Sequence, residues 1–294
     1  MYDKNSKIGF IGLGTMGYPM AGHLAQQGYQ VTVYNRTIAK AEKWQAQYQG
    51  KIAITPAEVA RNADIVFSCV GNDNDLRAVT IGEQGAFQAL APHAVFIDHS
   101  TTSAEVAREL ANLAQQQNCY FLDAPVSGGQ VGAEKGILTI MVGGDADVFA
   151  QVQPVITAYA KAVTLMGTSG MGQLTKMVNQ ICIGGLLQGL SEAIHFGEQA
   201  GLDVKLVLDV ISKGAAQSWQ MENRGKTMVD RSFNFGFAVD WMRKDLGLCL
   251  AEARRNGATL PITALVDQFY ADVQEKGGQR WDTSSLITRL GKKQ

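Results

Sequence analysis

Short apolar runs alternate with amphipathic stretches through the first half of the chain. The stretches Ser103–Gln117 and Asp145–Ala160 have helical spacing and lie between such runs. The apolar runs are Ile8–Ile11, Gln30–Tyr34, Ala63–Val70, Ala94–Asp98, Cys119–Asp123, Leu138–Val142 and Val163–Met166. Buried strands that alternate with helices are typical of βαβ units and a parallel sheet. The pattern therefore predicts an α/β domain over residues 1–168, with a doubly wound, mostly parallel sheet.

The pattern changes after Met166, where the strand-like runs stop. One long helix is predicted over Gln173–Ala200, because apolar residues recur there at helical spacing without a proline. Shorter helices are predicted at Val204–Ser212, Phe237–Arg255, Ile262–Glu275 and Ser284–Leu290. The second domain, residues 169–294, is therefore expected to be all-helical and to include the long connecting helix.

Composition and charge narrow the possible partners. The chain has 294 residues, of which 46% are hydrophobic and 18% charged, as expected of a folded protein with two domains. Its 26 basic and 27 acidic residues nearly cancel, so we expect no nucleic-acid partner. No apolar stretch approaches the ~20 residues that a membrane span needs, so no membrane partner is expected either.

The cysteines and histidines predict no metal site. Cys69, Cys119, Cys182 and Cys249 are too widely spaced for a zinc or redox motif, and all four stand among apolar residues. We therefore expect buried, structural thiols and a reduced, cytoplasmic location.

A glycine motif follows the first predicted strand. Gly12, Gly14 and Gly17 form G-x-G-x-x-G between that strand and a helix, which is the context of a Rossmann dinucleotide site. The first glycine permits a tight turn, the second permits a pyrophosphate to approach the backbone, and the third permits close packing of helix on strand. The alternative is a glycine-rich turn without a ligand. The predicted cofactor-binding residues of this turn are Gly12, Leu13, Gly14, Thr15, Met16 and Gly17.

The end of the second strand carries Asn35, Arg36 and Thr37 where NAD-binding proteins have an acidic residue. A neutral Asn does not repel a 2′-phosphate, and a guanidinium can pair with that phosphate and stack on adenine. The three residues therefore predict a preference for NADP, and NAD is the alternative cofactor. The alternative for Arg36 is that it is an ordinary loop arginine exposed to solvent.

Five segments together resemble the β-hydroxyacid dehydrogenase family over nearly the whole chain. They are Gly12–Met20, Asp98–Thr102, Asp123–Gly129, Gly172–Gln180 and Lys244–Leu248. The family includes 3-hydroxyisobutyrate dehydrogenase, tartronate semialdehyde reductase and the glyoxylate and succinic semialdehyde reductases. The resemblance implies a Rossmann domain followed by a helical domain that binds substrate and forms dimers. It also implies hydride transfer between NADP(H) and a small β-hydroxy acid or its semialdehyde, which carries a carboxylate.

The resemblance also implies roles for single residues. Lys176 matches the catalytic lysine of the family. Thr101 matches a residue beside the nicotinamide. The other matches are Ser127, Gly128 and Gly129 in the loop that holds the substrate carboxylate; Asn179, Gln180 and Phe237 on the substrate side; and Val70, Gly71, Asp75, Lys244 and Asp245 as cofactor contacts.

Elementary chemistry supports the role of Lys176. Hydride transfer to a carbonyl carbon leaves an alkoxide, which needs a proton donor within hydrogen-bond reach. A lysine ammonium stabilises that charge and supplies the proton. Gln173, Lys176, Asn179 and Gln180 form a polar patch near one face of an otherwise apolar helix. The alternative is a surface lysine whose stem lies on apolar neighbours.

Several alternatives remain open. Gln180 departs from a family pattern that usually has Asn, so either the substrate lies further away or Gln180 folds back. An NAD-dependent 3-hydroxyisobutyrate dehydrogenase is the second enzyme hypothesis. The helical domain is too short for 6-phosphogluconate dehydrogenase, and Lys176 argues against an imine reductase and against a catalytically silent cofactor-binding module. The long apolar helix suggests a homodimer or homotetramer.

Overall fold

The computed structural model describes residues 2–291, which form strands and helices in alternation and then helices alone. The strands are β1 (Lys7–Ile11), β2 (Gln30–Tyr34), β3 (Lys51–Ile52), β4 (Ile65–Ser68), β5 (Val95–Asp98), β6 (Tyr120–Asp123), β7 (Val126–Ser127), β8 (Leu138–Gly143) and β9 (Ala160–Gly167). The helices are α1 (Gly17–Gln26), α2 (Ile38–Tyr48), α3 (Pro56–Ala60), α4 (Asp73–Thr80), α5 (Ala104–Gln116), α6 (Gly129–Glu134), α7 (Ala146–Ile156), α8 (Met171–Gln199), α9 (Val204–Ile211), α10 (Trp219–Val229), α11 (Val239–Asn256) and α12 (Pro261–Glu275).

The strands form one sheet in the order β3-β2-β1-β4-β5-β6-β8-β7, with β9 paired to β8. The pairs from β3 to β6 are parallel, whereas β8 runs antiparallel to β6 and β7. The order 3-2-1-4-5-6 is that of dinucleotide-binding sheets. The predicted mostly parallel, Rossmann-type sheet is therefore confirmed.

Alternate strand residues enter two separate cores. Phe10 and Phe67 pack in one core, and their chain neighbours Ile11 and Val66 pack in the other. Because successive side chains of a strand point to opposite faces, both faces of the sheet are covered by helices. This is the doubly wound arrangement, and it leaves the carboxyl ends of β1, β2, β4, β5 and β6 at one edge of the sheet.

The chain forms two compact units, the first ending at Lys176 and the second beginning at Met177. The boundary falls inside α8, so the first turns of this helix belong to the first unit. The second unit has no strand among its described residues, and its core joins α8 to α11 and α12 through Leu187, Leu246 and Val266. The expectation that helices alone follow the sheet is confirmed, whereas the domain limits at residues 168 and 169 stay a prediction.

The structure corrects several expectations about local features. The predicted helix Ser284–Leu290 is a 3-10 helix over Thr283–Arg289, and α10 had no counterpart in the sequence pattern. Cys182 is exposed on α8 rather than buried, while Cys119 and Cys249 are buried and Cys69 is half-buried. Between residues 2 and 291, no helix is both long and apolar enough to cross a membrane.

Candidate active site

The glycine-rich turn after β1 needs glycine at two of its three positions for steric reasons. Gly12 has φ +95°, and a Cβ there would overlap the carbonyl oxygen of Cys69 at the end of β4. A Cβ at Gly17 would overlap the carbonyl oxygen of Gly12. A Cβ at Gly14 would meet nothing within 4 Å. Gly14 therefore borders open space, where a ligand can approach the backbone closely.

This turn fits a dinucleotide phosphate. It leads directly into α1, whose first turn has no side-chain cap and contains no acidic residue. The N–H groups at a helix N-terminus bind anions, and an acidic side chain there would repel them. The backbone N–H of Leu13 is occupied differently, because it donates to Asn35 Oδ1 at 2.9 Å. The open position at Gly14 and the uncapped helix together form a cradle that suits a pyrophosphate.

The loop after β2 presents a guanidinium and no acidic group. Asn35 uses its side chain within the fold, since Nδ2 also donates to the carbonyl oxygen of Thr37 at 3.0 Å. Arg36 is 88% exposed, and its Nη1 lies 3.6 Å from Asp75 Oδ1 on α4. An exposed pair of this kind contributes little to stability. The Arg36 side chain therefore lies beside another predicted cofactor residue, Asp75, and is accessible to a ligand.

Buried polar groups connect the ends of β4 and β5. Asp98 Oδ1 accepts hydrogen bonds from Ser68 Oγ at 2.6 Å and from Ser100 Oγ at 2.7 Å, and Val70 N donates to Ser100 Oγ at 2.8 Å. The burial of Asp98 raises the pKa of its carboxyl to about 6. These bonds fix the backbone of Val70, and hence the entry to Gly71, against the loop that carries Thr101. Sequence reasoning did not identify this role of Asp98, although a polar residue that ends an apolar strand is the available signal.

His99 is a structural residue of the same loop. Its Nδ1 lies 2.7 Å from the carbonyl oxygen of Ala124, which can only accept, so this nitrogen carries the proton. Nε2 then accepts from the hydroxyl of Tyr159 at 2.8 Å. Burial lowers the pKa of His99 to about 4, which keeps the imidazole neutral. The ring also stacks on Phe67 in β4, and the bond to Ala124 joins the loop after β5 to the loop after β6.

Lys176 lies in α8, near its N-terminus, and its side chain is buried. Its Nζ donates to the carbonyl oxygen of Val126 at 2.8 Å. The next residue along β7 is Ser127, followed by Gly128 at φ +135° and Gly129 at φ +62°. Both conformations favour glycine over residues with a Cβ. The first unit thus brings Lys176 to the start of the loop that the resemblance associates with the substrate carboxylate.

Asp123 holds the N-terminal end of α8 in the first unit. Its Oδ1 accepts from the backbone N–H of Gly170 at 2.7 Å, and its Oδ2 accepts from that of Gln173 at 2.9 Å. Burial raises the pKa of Asp123, and these bonds oppose the rise. Asp123 therefore serves to seat the helix that carries Lys176 on the end of β6.

The second unit brings four predicted site residues together. Gln180 Nε2 donates to Asp245 Oδ2 at 2.7 Å, and Gln180 Oε1 accepts from Asn179 Nδ2 at 2.8 Å. Lys244 Nζ lies 3.0 Å from Asp245 Oδ1. Gln180 and Asp245 are buried. The amide of Gln180 is thus folded back on α8 and bonded to α11.

Phe237 is held by a residue that the sequence analysis did not identify. Asp282 is buried, and its Oδ2 accepts from the backbone N–H of Phe237 at 3.0 Å while its Oδ1 pairs with Arg224 Nε at 3.1 Å. The backbone N–H of Thr283 donates to the carbonyl oxygen of Phe237 at 2.9 Å. These contacts fix the segment before α11.

No cluster of three or more potential metal ligands occurs in the part of the chain that the structure describes.

Two family models together span nearly the whole chain. Residues 7–167 match the NAD binding domain of 6-phosphogluconate dehydrogenase, and residues 170–290 match the NAD-binding domain of NADP-dependent 3-hydroxyisobutyrate dehydrogenase. The fold, the phosphate cradle and these matches define an oxidoreductase that acts on CH–OH groups with a nicotinamide cofactor. The chain belongs to the β-hydroxyacid dehydrogenase family, as its sequence motifs indicate.

Individual proteins agree with this assignment. The chain is 61% identical to an uncharacterized oxidoreductase of Shewanella frigidimarina, covering 98% of this chain and 99% of the relative. It is 36% identical to the 2-hydroxy-3-oxopropionate reductase of Escherichia coli, covering 97% of both chains. The structure of Mycobacterium tuberculosis 3-hydroxyisobutyrate dehydrogenase with L-serine superposes with a TM-score of 0.88 at 29% identity, covering 97% of this chain and 99% of that one.

Proposed function

We propose that this enzyme prefers NADP(H) and interconverts a small β-hydroxy acid and its semialdehyde, with Lys176 as the general acid and base. The observation that carries the proposal is the position of Lys176: its ammonium is buried and bonded to the carbonyl oxygen of Val126, next to Ser127. A buried ammonium beside a glycine-rich loop offers positive charge, a proton and backbone donors within a short distance. These are the groups that a carboxylate-bearing carbonyl compound needs.

A bound nicotinamide cofactor would supply the hydride for reduction and would take it up in oxidation. During reduction, the carbonyl carbon receives the hydride and its oxygen takes a proton from Lys176 Nζ. During oxidation, the neutral amine of Lys176 takes the proton of the alcohol as the hydride leaves the carbon. The ammonium also stabilises the negative charge that develops on the oxygen.

We propose a role in substrate binding for each of six residues. We propose that Ser127 and the backbone of the following two glycines bind the carboxylate, because left-handed glycine turns expose backbone N–H groups. Gln180 has its amide engaged by Asn179 and Asp245, and we propose that it orients Asn179 toward the substrate. The proposed substrate-binding residues are Ser127, Gly128, Gly129, Asn179, Gln180 and Phe237.

The preference for NADP rests on the loop after β2. Arg36 is the charged group of that loop, and its exposed guanidinium can pair with a 2′-phosphate. Asp75 partly offsets this charge, which is the feature that favours NAD as the alternative cofactor. The proposed cofactor contacts are Gly12, Leu13, Gly14, Thr15, Met16, Gly17, Asn35, Arg36, Thr37, Val70, Gly71, Asp75, Thr101, Lys244 and Asp245.

A substrate panel tests the proposal. The purified enzyme is assayed with NADPH and with NADH against tartronate semialdehyde, methylmalonate semialdehyde, succinic semialdehyde and glyoxylate, and in reverse with the hydroxy acids. Turnover with at least one semialdehyde, faster with NADPH, supports the proposal. Turnover only of a hydroxy acid with NAD would favour the dehydrogenase alternative. Tight NADPH binding without any turnover would favour a silent cofactor-binding module.

We further propose a homodimer or homotetramer that forms through α8. Val178, Leu186 and Phe196 are 61%, 38% and 72% exposed, and their spacing puts them along one side of this helix. Exposed apolar side chains that lie on the same side of a helix favour a protein interface. Light scattering at several concentrations tests this, and Phe196→Glu is expected to dissociate the assembly.

We also propose a role for each domain and a location of the protein in the cell. We propose that residues 1–168 are the NADP-binding domain, and that residues 169–294, with the long connecting helix, are a substrate and dimerisation domain. The four free cysteines suit the reduced cytoplasm. Cell fractionation with a tagged chain tests the location.

A further inference from the structure

The side chain of Gln173, in the first turn of α8, is fully buried and uses both ends of its amide. Its Nε2 donates to the carbonyl oxygen of Ser100 at 2.8 Å, and its Oε1 accepts from the backbone N–H of Thr102 at 3.1 Å. These two backbone groups flank Thr101. One amide therefore holds the loop after β5 from both sides of this residue.

The backbone of Gln173 is held by a different strand. Its N–H donates to Asp123 Oδ2, and the same carboxylate accepts from Gly170. A Cβ at Gly172 would overlap the carbonyl oxygen of Met141 in β8, so the turn lies directly against the sheet. The first turn of α8 is therefore seated on β6 and β8 and joined to the loop after β5.

Lys176 lies three residues after Gln173, on the same side of the helix. Its Nζ reaches the carbonyl oxygen of Val126 in the neighbouring loop. The loop that carries Thr101 and the ammonium of Lys176 are thus connected through less than one helical turn.

We propose that Gln173 is a positioning residue that acts through Lys176. It sets the distance between the ammonium and the loop of Thr101, where the resemblance puts the nicotinamide. This inference rests on the proposed function, because it requires Lys176 to transfer the proton. Proton and hydride must reach the same carbonyl group, so the spacing of their donors governs the rate.

The first experiment replaces Gln173 by methionine, which keeps the length and apolar volume of the side chain and removes both hydrogen bonds. The matched control is Gln188→Met, because Gln188 is a buried amide of the same helix and its Nε2 donates to Glu192 at 2.7 Å. Steady-state kinetics use the best substrate of the panel. We expect kcat to fall by about 10²-fold with Gln173→Met, as for a reacting group displaced by ~1 Å, and KM for NADPH to change little. Gln188→Met should keep the wild-type kcat.

The second experiment is a double-mutant cycle with Lys176→Ala. If Gln173 acts through Lys176, adding Gln173→Met to Lys176→Ala lowers the residual kcat no further. If Gln173 affects turnover independently of Lys176, the two losses multiply, and the inference is overturned. Gln173→Glu, which keeps the acceptor for Thr102, replaces the methionine variant in the cycle if the latter does not fold.

The two hypotheses fail in different ways. Wild-type kcat in a folded Gln173→Met enzyme, beside an inactive Lys176→Ala enzyme, overturns the inference and leaves the proposed function intact. Wild-type kcat in Lys176→Ala overturns the proposed function itself.

Discussion

Gln180 donates a hydrogen bond of 2.7 Å to Asp245, and both side chains are buried in the helical unit. This contact joins α8 to α11 at the position where Lys244 also reaches Asp245. A glutamine is longer than the asparagine that is usual in the family, and here its added length is used to reach a carboxylate on another helix.

Replacing Gln180 by leucine should destabilise the protein. The change leaves Asp245 Oδ2 buried without its amide donor, and a hydrogen bond to a charged group contributes about 1.5–3 kcal/mol. Urea denaturation should show a loss in the free energy of unfolding of this size. The control Gln188→Leu removes a bond to the exposed Glu192 and should cost less. Equal losses in both variants would contradict the assigned role of the Gln180–Asp245 bond.

Two glycines of the phosphate cradle should respond oppositely to alanine. Gly14→Ala adds a methyl group to open space, so the free energy of unfolding should hardly change, whereas NADPH should bind at least ~10-fold more weakly, or about 1.4 kcal/mol. Gly17→Ala forces a methyl group against the carbonyl oxygen of Gly12 and should destabilise the fold by about 1–3 kcal/mol. Thermal unfolding without cofactor and fluorescence titration with NADPH measure the two effects. Unchanged NADPH affinity in Gly14→Ala would argue against a pyrophosphate at this turn.

Arg36→Ala should raise KM for NADPH and leave KM for NADH nearly unchanged. A charge-assisted pair with the 2′-phosphate is worth about 1.5–3 kcal/mol, which corresponds to ~10–150-fold. Asp75→Asn is the matched variant: it removes the carboxylate beside Arg36 and should improve the use of NADPH. Wild-type enzyme that uses NADH as well as NADPH would contradict the proposed preference.

His99 gives a testable pH dependence. Its pKa is lowered to about 4 in the folded protein from an ordinary 6.5, so the unfolded chain binds the proton first as the pH falls. His99 therefore costs stability as the pH falls from about 6.5 to about 4, by an amount on the order of 3 kcal/mol. As the pH falls from about 6.5 to about 4, the free energy of unfolding of His99→Gln should therefore rise relative to that of the wild-type protein. A constant difference between the two proteins would contradict a neutral, buried imidazole.

Asp98 should have the opposite sign. Its folded pKa is raised to about 6 from 3.8, so the folded state binds the proton first and the carboxyl favours folding toward acid pH. Relative to wild type, Asp98→Asn should lose stability as the pH falls from about 6 to about 4. The two neighbouring residues thus offset one another in the wild-type protein, and urea denaturation of the single variants separates their contributions.

The sequence predicted the fold and the main sheet well, because hydrophobic periodicity and the glycine motif are local signals. The two-residue strands β3 and β7 are too short to produce such a pattern. Helix α10 begins at an N-capping Ser218 but is mostly polar and contains Gly225, so its pattern was weak. The exposure of Cys182 was predicted wrongly, because apolar neighbours in sequence do not reveal which side of a helix faces solvent.

Within the candidate site, the contacts made at long range could not be read from the sequence. Asp98 and Asp282 are both buried carboxylates that hold site loops, and their partners lie on distant segments. Motif spacing predicted the roles of Lys176 and of the glycine turn. It did not predict the contacts of the Gln173 amide, whose partners are backbone groups about 70 residues earlier. Side chains that bond to backbone leave no pairing signal in a single sequence.

Lys176 is the proposed proton donor of the reaction. Lys176→Ala should lower kcat by at least ~10²-fold, the usual scale for removing a general acid. NADPH binding should remain near normal, because the glycine turn and the Arg36 loop hold the dinucleotide. Lys176→Arg should restore little activity, since the pKa of a guanidinium is well above that of an ammonium and the group does not give up its proton readily.

The most direct test of this role is the turnover of Lys176→Ala on the best substrate of the panel. Fluorescence titration with NADPH is carried out on the same preparation. If Lys176 is the proton donor, the variant loses turnover and keeps its affinity for NADPH. Wild-type turnover in a folded Lys176→Ala enzyme would contradict it.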